Sequence, residues 1–442
     1  MIRLLRYWLQ RAKTPERFEL LAGLLPIEAQ SRQEVLQKQR REFAEMAAFA
    51  ARHTDYYAHS FGQLIDAPGR SPVPEDLPIL HKQDVIENID RLLRRDVDLR
   101  RVKNGHTGGS TGKPLAFYYD DHKHELMLAG MMRGFMMSGW RPGQRILYFW
   151  GASRDVSPSG VFAAGQGGFF GVEKTVAAVE FSEARLNEWV NLIRNWRPVL
   201  LYGYASALTE LARFIVDTKI DLPKTPLGVY STAEVLNDWQ RELMQQAFGC
   251  KVFNQYGCRE VPNIAWECRH GNMHIFTDMV YMESVPLEGE DRLVVTSLTN
   301  RLMPFIRYDI GDTGRLLDGE CACGLPFPLM EMDVCRHNDL IRARGGRLFH
   351  PAYFNRLLYG LGKIQQYQWV QAEPDRMVLN LVADERLSGQ TLATIASDIQ
   401  RDVDAQMRLE VNYLEEIPRN VSGKHRFVIG LDDESSRPAT VR

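Results

Sequence analysis

Cysteine is scarce in this chain. Six residues in 442 fall far short of a disulfide framework, so a reducing cytoplasm is the expected compartment. No apolar run approaches the ~20 residues that a bilayer-crossing helix needs. Net charge is nearly absent, at −2, which removes the electrostatic footprint expected of a nucleic-acid binder. Repeats and low-complexity blocks are also missing. What remains, 45% hydrophobic and 25% charged residues, is the composition of an ordinary folded protein. Its length favours two or three domains over a single core.

The opening stretch MIRLLRYWLQRAKTPERF lacks the unbroken apolar core and the small-residue cleavage site of a secretion signal. Leu4, Leu5, Trp8 and Leu9 share one helical face, which predicts a short amphipathic helix packed on its own domain rather than on a membrane surface. Helical patterning continues to about residue 100, including the polar-faced QSRQEVLQKQRREFAEMAAFAARH. From residue 115, apolar runs (RILYFW, VLLYGY, LGVYST, KVFNQYG) alternate with helical stretches, the pattern of a layered α/β domain. MVYMESV and DRLVVTSL predict a β-rich subdomain. Past the basic, glycine-containing CRHNDLIRARGGR, the runs IQQYQWVQ, DRMVLNLVAD and LEVNYLEEI surround one helix. The expected fold class is α/β, with a large multi-subdomain part at 1–335 and a small α+β part at 336–442.

The residues that carry chemistry begin with HTGGSTGKP. Its glycines permit close backbone approach, and Thr107, Ser110, Thr111 and Lys113 supply hydroxyls and charge suited to a polyphosphate. The common phosphate loop is broken twice: Thr107 stands where its first glycine belongs, and Pro114 follows the lysine where a magnesium-binding hydroxyl is required. Alone, such a stretch reads nearly as well as a glycine turn. Three distant segments change the balance: STAEVLN, NQYGCRE and RYDIGD each set acids or aromatics beside turn residues at ends of expected strands, where open α/β sheets build ligand sites. Tyr256 can stack on a purine, Glu260 can hold magnesium, and Asp312 can bind a ribose diol. RNVSGK adds Lys424 on the small C-terminal part.

Taken in order, HTGGSTGKP, STAEVLN, NQYGCRE, RYDIGD, CRHNDLIRARGGR and RNVSGK resemble the adenylate-forming (acyl-CoA synthetase) superfamily. Within it, GYASALTELA and YGCRE resemble the phenylacetate–CoA ligase branch and its capsular-polysaccharide-type members. The resemblance spans roughly residues 100 to 430. It implies a large adenylation domain with a mobile C-terminal lid, ATP and Mg2+ as requirements, and two steps. A carboxylate attacks the α-phosphate of ATP and releases pyrophosphate; a thiol, first of all coenzyme A, then displaces AMP. Carried over by motif, Thr107, Ser110, Thr111 and Lys113 hold the departing pyrophosphate. Ala233 and Glu234 line the adenine side, Tyr256 stacks, Glu260 binds Mg2+, Asp312 binds the ribose with Arg336 nearby, Asp339 lies in the hinge, and Lys424 neutralises charge during adenylation. Departures fall in the hinge, where Cys335 replaces a glycine and Asn338 an acid.

ECRHGNMHIFTD and ECACGL contain Cys268, His274, Cys321 and Cys323, a C-x5-H plus C-x-C set rather than the usual C-x2-C spacing of zinc sites. Spacing alone leaves loop thiols as the simpler reading, with His270 an alternative ligand to His274. The resemblance implies a structural Zn2+ on this set. MLAGMMRGFMMSGW is expected to be a core helix filled with adaptable methionines. YFWGAS and QGGFFGVEK are the candidates for an aromatic acyl pocket, which points to an aryl or other flat acid. Two alternatives stand beside coenzyme A transfer: passage of the acyl group to an amine, hydroxyl or carrier-protein thiol, and a non-catalytic nucleotide-binding scaffold.

Overall fold

The structure, a computed structural model, describes residues 1–65, 72–106, 115–150, 170–223, 226–234, 236–287, 290–332, 341–349, 351–358, 361, 364–417 and 428–431. The N-terminal hundred residues are helical as the periodicity predicts. Their longest helix, Arg32–His53, starts at a capping box: Ser31 Oγ accepts from the Glu34 amide at 3.3 Å, while the Ser31 amide donates to Glu34 Oε2 at 2.8 Å. Such reciprocal bonds satisfy donors that a helix start otherwise leaves unpaired. Val35, Phe43, Met46 and Ala50 of this helix are buried, and Gln39 donates to the Val280 carbonyl at 2.7 Å.

The scaffold is an eleven-stranded sheet among the described residues. One half is parallel, in the order Glu173–Ala177, Ile146–Trp150, Leu200–Tyr204, Gly228–Thr232, Lys251–Tyr256. The middle three of these strands are buried at every position, because helices cover parallel sheets on both faces. That is why their sequences are apolar runs with no alternation. The order turns antiparallel at Ala265–Glu267 and continues through Met273–Ile275, Leu329–Met332, Tyr308–Leu317, Glu290–Ser297 and Val280–Leu287. The methionine-rich helix Asp121–Met136 is a core helix as expected, with Met131, Met132 and Phe135 buried. Its Arg133 is fully buried too. A bidentate pair with Asp278, 2.6 Å for each bond, and the Phe276 ring 4.0 Å away compensate that charge.

A second buried cluster draws its residues from Ile341 to Val428. It is built on a four-stranded sheet in the order Arg408–Tyr413, Arg376–Ala383, Ile364–Glu373, Val428–Ile429, with the helix Gly389–Asp402 packed beside it. A separate three-stranded sheet joins this region to the rest: Leu348 and Phe349 pair with Phe181 and Glu180, and Ile341–Arg342 closes the other side. Arg347 adds an ion pair to Glu180 at 3.3 Å.

One expectation is reversed. The first helix, Ile2–Lys13, does not pack its apolar face on the protein; the residues it buries are Arg6 and Gln10. Helical periodicity identifies an apolar face but carries no information about which way that face points.

Candidate functional site

The site lies along the C-terminal ends of the parallel strands. Gly228–Thr232 runs into Ala233, which holds a left-handed φ of +65°. A side chain in that region costs about 1 kcal/mol, and such strain concentrates where a loop is held for a ligand. Glu234 follows; its Oε2 accepts the Ser206 amide at 2.7 Å, a carboxylate at the N-terminus of the helix Ala205–Asp217. Beneath them, Gln255 Oε1 accepts from the Tyr202 hydroxyl at 3.3 Å and from the Thr232 hydroxyl, which locks adjacent strand ends together.

Lys251–Tyr256 ends in the YGCRE loop, and the strand Tyr308–Leu317 comes up to meet it. Tyr308 donates its hydroxyl to Glu260 Oε1 at 3.3 Å, and Tyr256 donates to Asp312 Oδ2 at 3.0 Å. Two motifs some fifty residues apart in sequence are thereby cross-linked at both ends. The strand is irregular at RYDIGD, where Gly311 takes φ +87° and its amide donates to Asp309 Oδ1 at 2.9 Å. Cys258 Sγ accepts the Val261 amide at 3.3 Å. Burial, reinforced by the Glu260 charge, pushes its thiol pKa well above the ordinary value, so Cys258 stays a neutral wall.

The strands Lys103–His106 and Ala116–Tyr119 form an antiparallel hairpin stem, with His106 opposite Ala116. Gly105 is required there: a Cβ would meet the Phe117 ring at 2.1 Å. Arg259 of the YGCRE loop donates to the His106 carbonyl at 3.1 Å, which ties this stem to the strand ends. Thr107, Ser110, Thr111 and Lys113, which lie between the two stem strands in sequence, are outside the described residues, as are Arg336, Asp339 and Lys424. The structure thus brings together Ala233, Glu234, Tyr256, Glu260 and Asp312.

Sequence reasoning missed Lys123. It lies in the first turn of the helix Asp121–Met136, capped by Asp120, whose Oδ1 accepts its amide at 2.8 Å. Its side chain is buried, with Nζ 4.9 Å from the Tyr119 ring centroid. Burial pushes its pKa down to about 8, against the opposing pull of Glu260 and Asp120. A lysine in DDHKHE reads as a solvated helix start, and no local signal marks it as buried.

Cys268, His274, Cys321 and Cys323 converge at the antiparallel end of the sheet, with their donor atoms all within 4.8 Å of one another. Cys268 and Cys321 sulfurs are 3.6 Å apart, and Cys323 Sγ is 3.3 Å from His274 Nε2. A tetrahedral zinc with bonds of about 2.3 Å to sulfur and about 2.1 Å to nitrogen has ligand-to-ligand edges near these lengths, so the residues fit the ion. Burial pushes His274 down to about 4, leaving the imidazole neutral, the form that ligates. His270 is not part of the quartet; its amide donates to Cys268 Sγ at 3.3 Å.

Of the acyl-pocket candidates, Tyr148, Phe149 and Trp150 are buried. Trp150 stacks on Tyr202 at 5.9 Å and lies 4.7 Å from Tyr204. Residues 151–169 are outside the described residues, so QGGFFGVEK is seen only from Phe170 onward.

The chain is similar to known proteins over most of its length. Residues 340–430 match the CapK C-terminal domain. The chain is 23% identical to Protein CapK of Staphylococcus aureus over 426 residues, covering 90% of this chain and 89% of that one. It is 25% identical to the phenylacetate-coenzyme A ligase of Thermus thermophilus over 455 residues, covering 92% and 98%. Among solved structures, 2-hydroxyisobutyryl-CoA ligase, in complex with 2-HIB-AMP and CoA in its thioesterification state, superposes with a TM-score of 0.60 at 18% identity, over 91% of each chain. The chain is similar to CapK and to the phenylacetate-coenzyme A ligases, and it shares the fold of 2-hydroxyisobutyryl-CoA ligase.

Proposed function

We propose that this protein is an AMP-forming carboxylate ligase. It joins a carboxylic acid to the α-phosphate of ATP, releases pyrophosphate, and passes the acyl group to a thiol, with coenzyme A the first candidate. The observation that carries the reading is the double cross-link of YGCRE to RYDIGD: Tyr256 to Asp312 and Tyr308 to Glu260. It sets an aromatic ring and two carboxylates at the strand ends where nucleotides bind in α/β sheets. In this reading Asp312 accepts the ribose hydroxyls, Tyr256 packs on the adenine, and Ala233 and Glu234 form its other side. Glu260 would hold Mg2+, whose charge shields the phosphates from the incoming carboxylate.

Two anions must meet in line, so most of the rate comes from positioning and cationic stabilisation. Thr107, Ser110, Thr111 and Lys113 grip the β- and γ-phosphates, with Arg336 near the ribose. A carboxylate oxygen forms a bond to the α-phosphorus as the bond to the pyrophosphate oxygen breaks. Lys424, from a C-terminal lid at 336–442 that hinges at Asp339, neutralises the charge that develops. In the second step the thiolate bonds to the acyl carbon and AMP leaves with the shared electron pair. The tyrosine and tryptophan wall around Trp150 and Tyr202 favours an aryl acid. Zn2+ on Cys268, His274, Cys321 and Cys323 is structural, because four protein ligands leave no open position for substrate.

Pyrophosphate exchange across a panel of aryl and aliphatic acids tests the first step, and silence across the panel returns weight to a non-catalytic nucleotide-binding scaffold. A second reading keeps adenylation and changes the acceptor to an amine, hydroxyl or carrier-protein thiol. AMP release that depends on coenzyme A, compared with release by amines, separates the two.

A further inference from the structure

The first helix is mounted by its polar side. Gln10 Oε1 accepts the Gly143 amide at 3.3 Å, and its Nε2 donates to Glu173 at 3.5 Å. Gly143 has φ +85°, and a Cβ there would meet the Arg3 carbonyl oxygen at 2.5 Å, so the helix backbone sits directly on that turn. Tyr7 packs edge-on against Phe18 at 5.4 Å. The opposite side is apolar and uncovered: Leu4, Leu5, Trp8 and Leu9 are 54, 46, 58 and 39% exposed. A surface helix normally buries such a face, and a contiguous exposed one marks an interaction surface.

Charge selects the occupant. Residues 1–13 contain Arg3, Arg6, Arg11 and Lys13 and no acid. Arg11 holds its guanidinium 5.5 Å from the Trp8 ring centroid, which sets a cation beside the apolar face. Leucines and a tryptophan flanked only by basic residues match the boundary between acyl chains and anionic headgroups. A second copy of the same helix would bring like charge against like charge. Among the described residues no helix is long and apolar enough to cross a membrane, so the fit is to a surface.

We propose that Ile2–Lys13 is a reversible anchor to anionic lipid surfaces, with Leu4, Leu5, Trp8 and Leu9 entering the interface while Arg11 and Lys13 meet the headgroups. The anchor is independent of the ligase reading, because none of these residues belongs to the nucleotide site.

Co-sedimentation of the full chain with phosphatidylcholine vesicles, with and without about one part in three phosphatidylglycerol, tests it. Binding is expected only to the anionic vesicles and should weaken with salt. The double variant Leu5→Glu/Trp8→Glu should lose at least about tenfold in partitioning, and Arg11→Gln or Lys13→Gln about fivefold each. These positions are exposed, so the melting temperature of each variant should match the parent and exclude misfolding. A parent protein that stays in the supernatant with anionic vesicles, or a double variant that still sediments, overturns the proposal. So does a parent dimer that dissociates on Leu5→Glu/Trp8→Glu without any vesicle binding, which assigns the face to self-association.

Discussion

Tyr256 donates its hydroxyl to Asp312 across a gap of 3.0 Å, so in the proposed reading the ring that would pack on a purine is held by the carboxylate that would bind its ribose. The two substitutions should therefore differ in size. Asp312→Ala removes a charged acceptor, and kcat/KM for ATP should fall about ten- to hundredfold with little change in KM for the acid. Tyr256→Phe keeps the ring and should cost on the order of fivefold. Steady-state kinetics with ATP and acid varied separately measures both. Equal losses would show that Asp312 acts only by holding the Tyr256 hydroxyl.

Lys424 should act in one half-reaction. Lys424→Ala is expected to slow adenylate formation by about a thousandfold while transfer from preformed acyl-adenylate stays within a few-fold of the parent. Single-turnover measurements of each step decide it. Matching losses in both would remove the assigned role.

Protein purified without added metal should contain close to one zinc per chain. Cys323→Ser breaks the 3.3 Å contact with His274 and should release most of the zinc and lower the melting temperature by on the order of 5 °C. Chelator treatment of the parent should reproduce that shift. Metal-free parent protein with the same melting temperature would discard the site.

Lys123 predicts a pH effect on stability. Burial lowers its pKa from 10.5 to about 8, so between those values the unfolded chain binds more protons than the folded one. Stability then rises with pH across the window: the cost of holding a buried ammonium is complete below pH 8 and is relieved as the amine deprotonates. Compared with Lys123→Met, the parent should gain up to about 3 kcal/mol from pH 7 to about 10. Urea denaturation of both proteins at several pH values reads this, and a flat difference would show the amine to be hydrated.

The parallel half of the sheet was legible because helices on both faces demand unbroken apolar runs, as in Leu200–Tyr204. The antiparallel continuation was harder to read. Ala265–Glu267 and Met273–Ile275 have three residues each, too few to establish an alternation. Tyr256, Glu260 and Asp312 were found by motif, yet the bond from Tyr308 to Glu260 was not, since register between distant strands leaves no local trace. Lys123 escaped because its charged neighbour Glu260 lies well over a hundred residues further along the chain, and the nearby Tyr119 ring gives no sign in sequence that the lysine is buried. The first helix was recognised as amphipathic and then oriented wrongly, because the Gly143 turn that seats its polar side lies well over a hundred residues further along the chain.

The seam between Glu180–Phe181 and Leu348–Phe349 has a mechanical consequence. Among the described residues its strand pairing is two residue pairs, joined by the Arg347–Glu180 ion pair and by Leu348 packed on the main core, whereas the cluster from Ile341 to Val428 has its own buried centre. Parting the seam would break a few bonds that water can replace and leave that centre dry. Under the proposed lid motion, a joint of this size would part without unfolding either side.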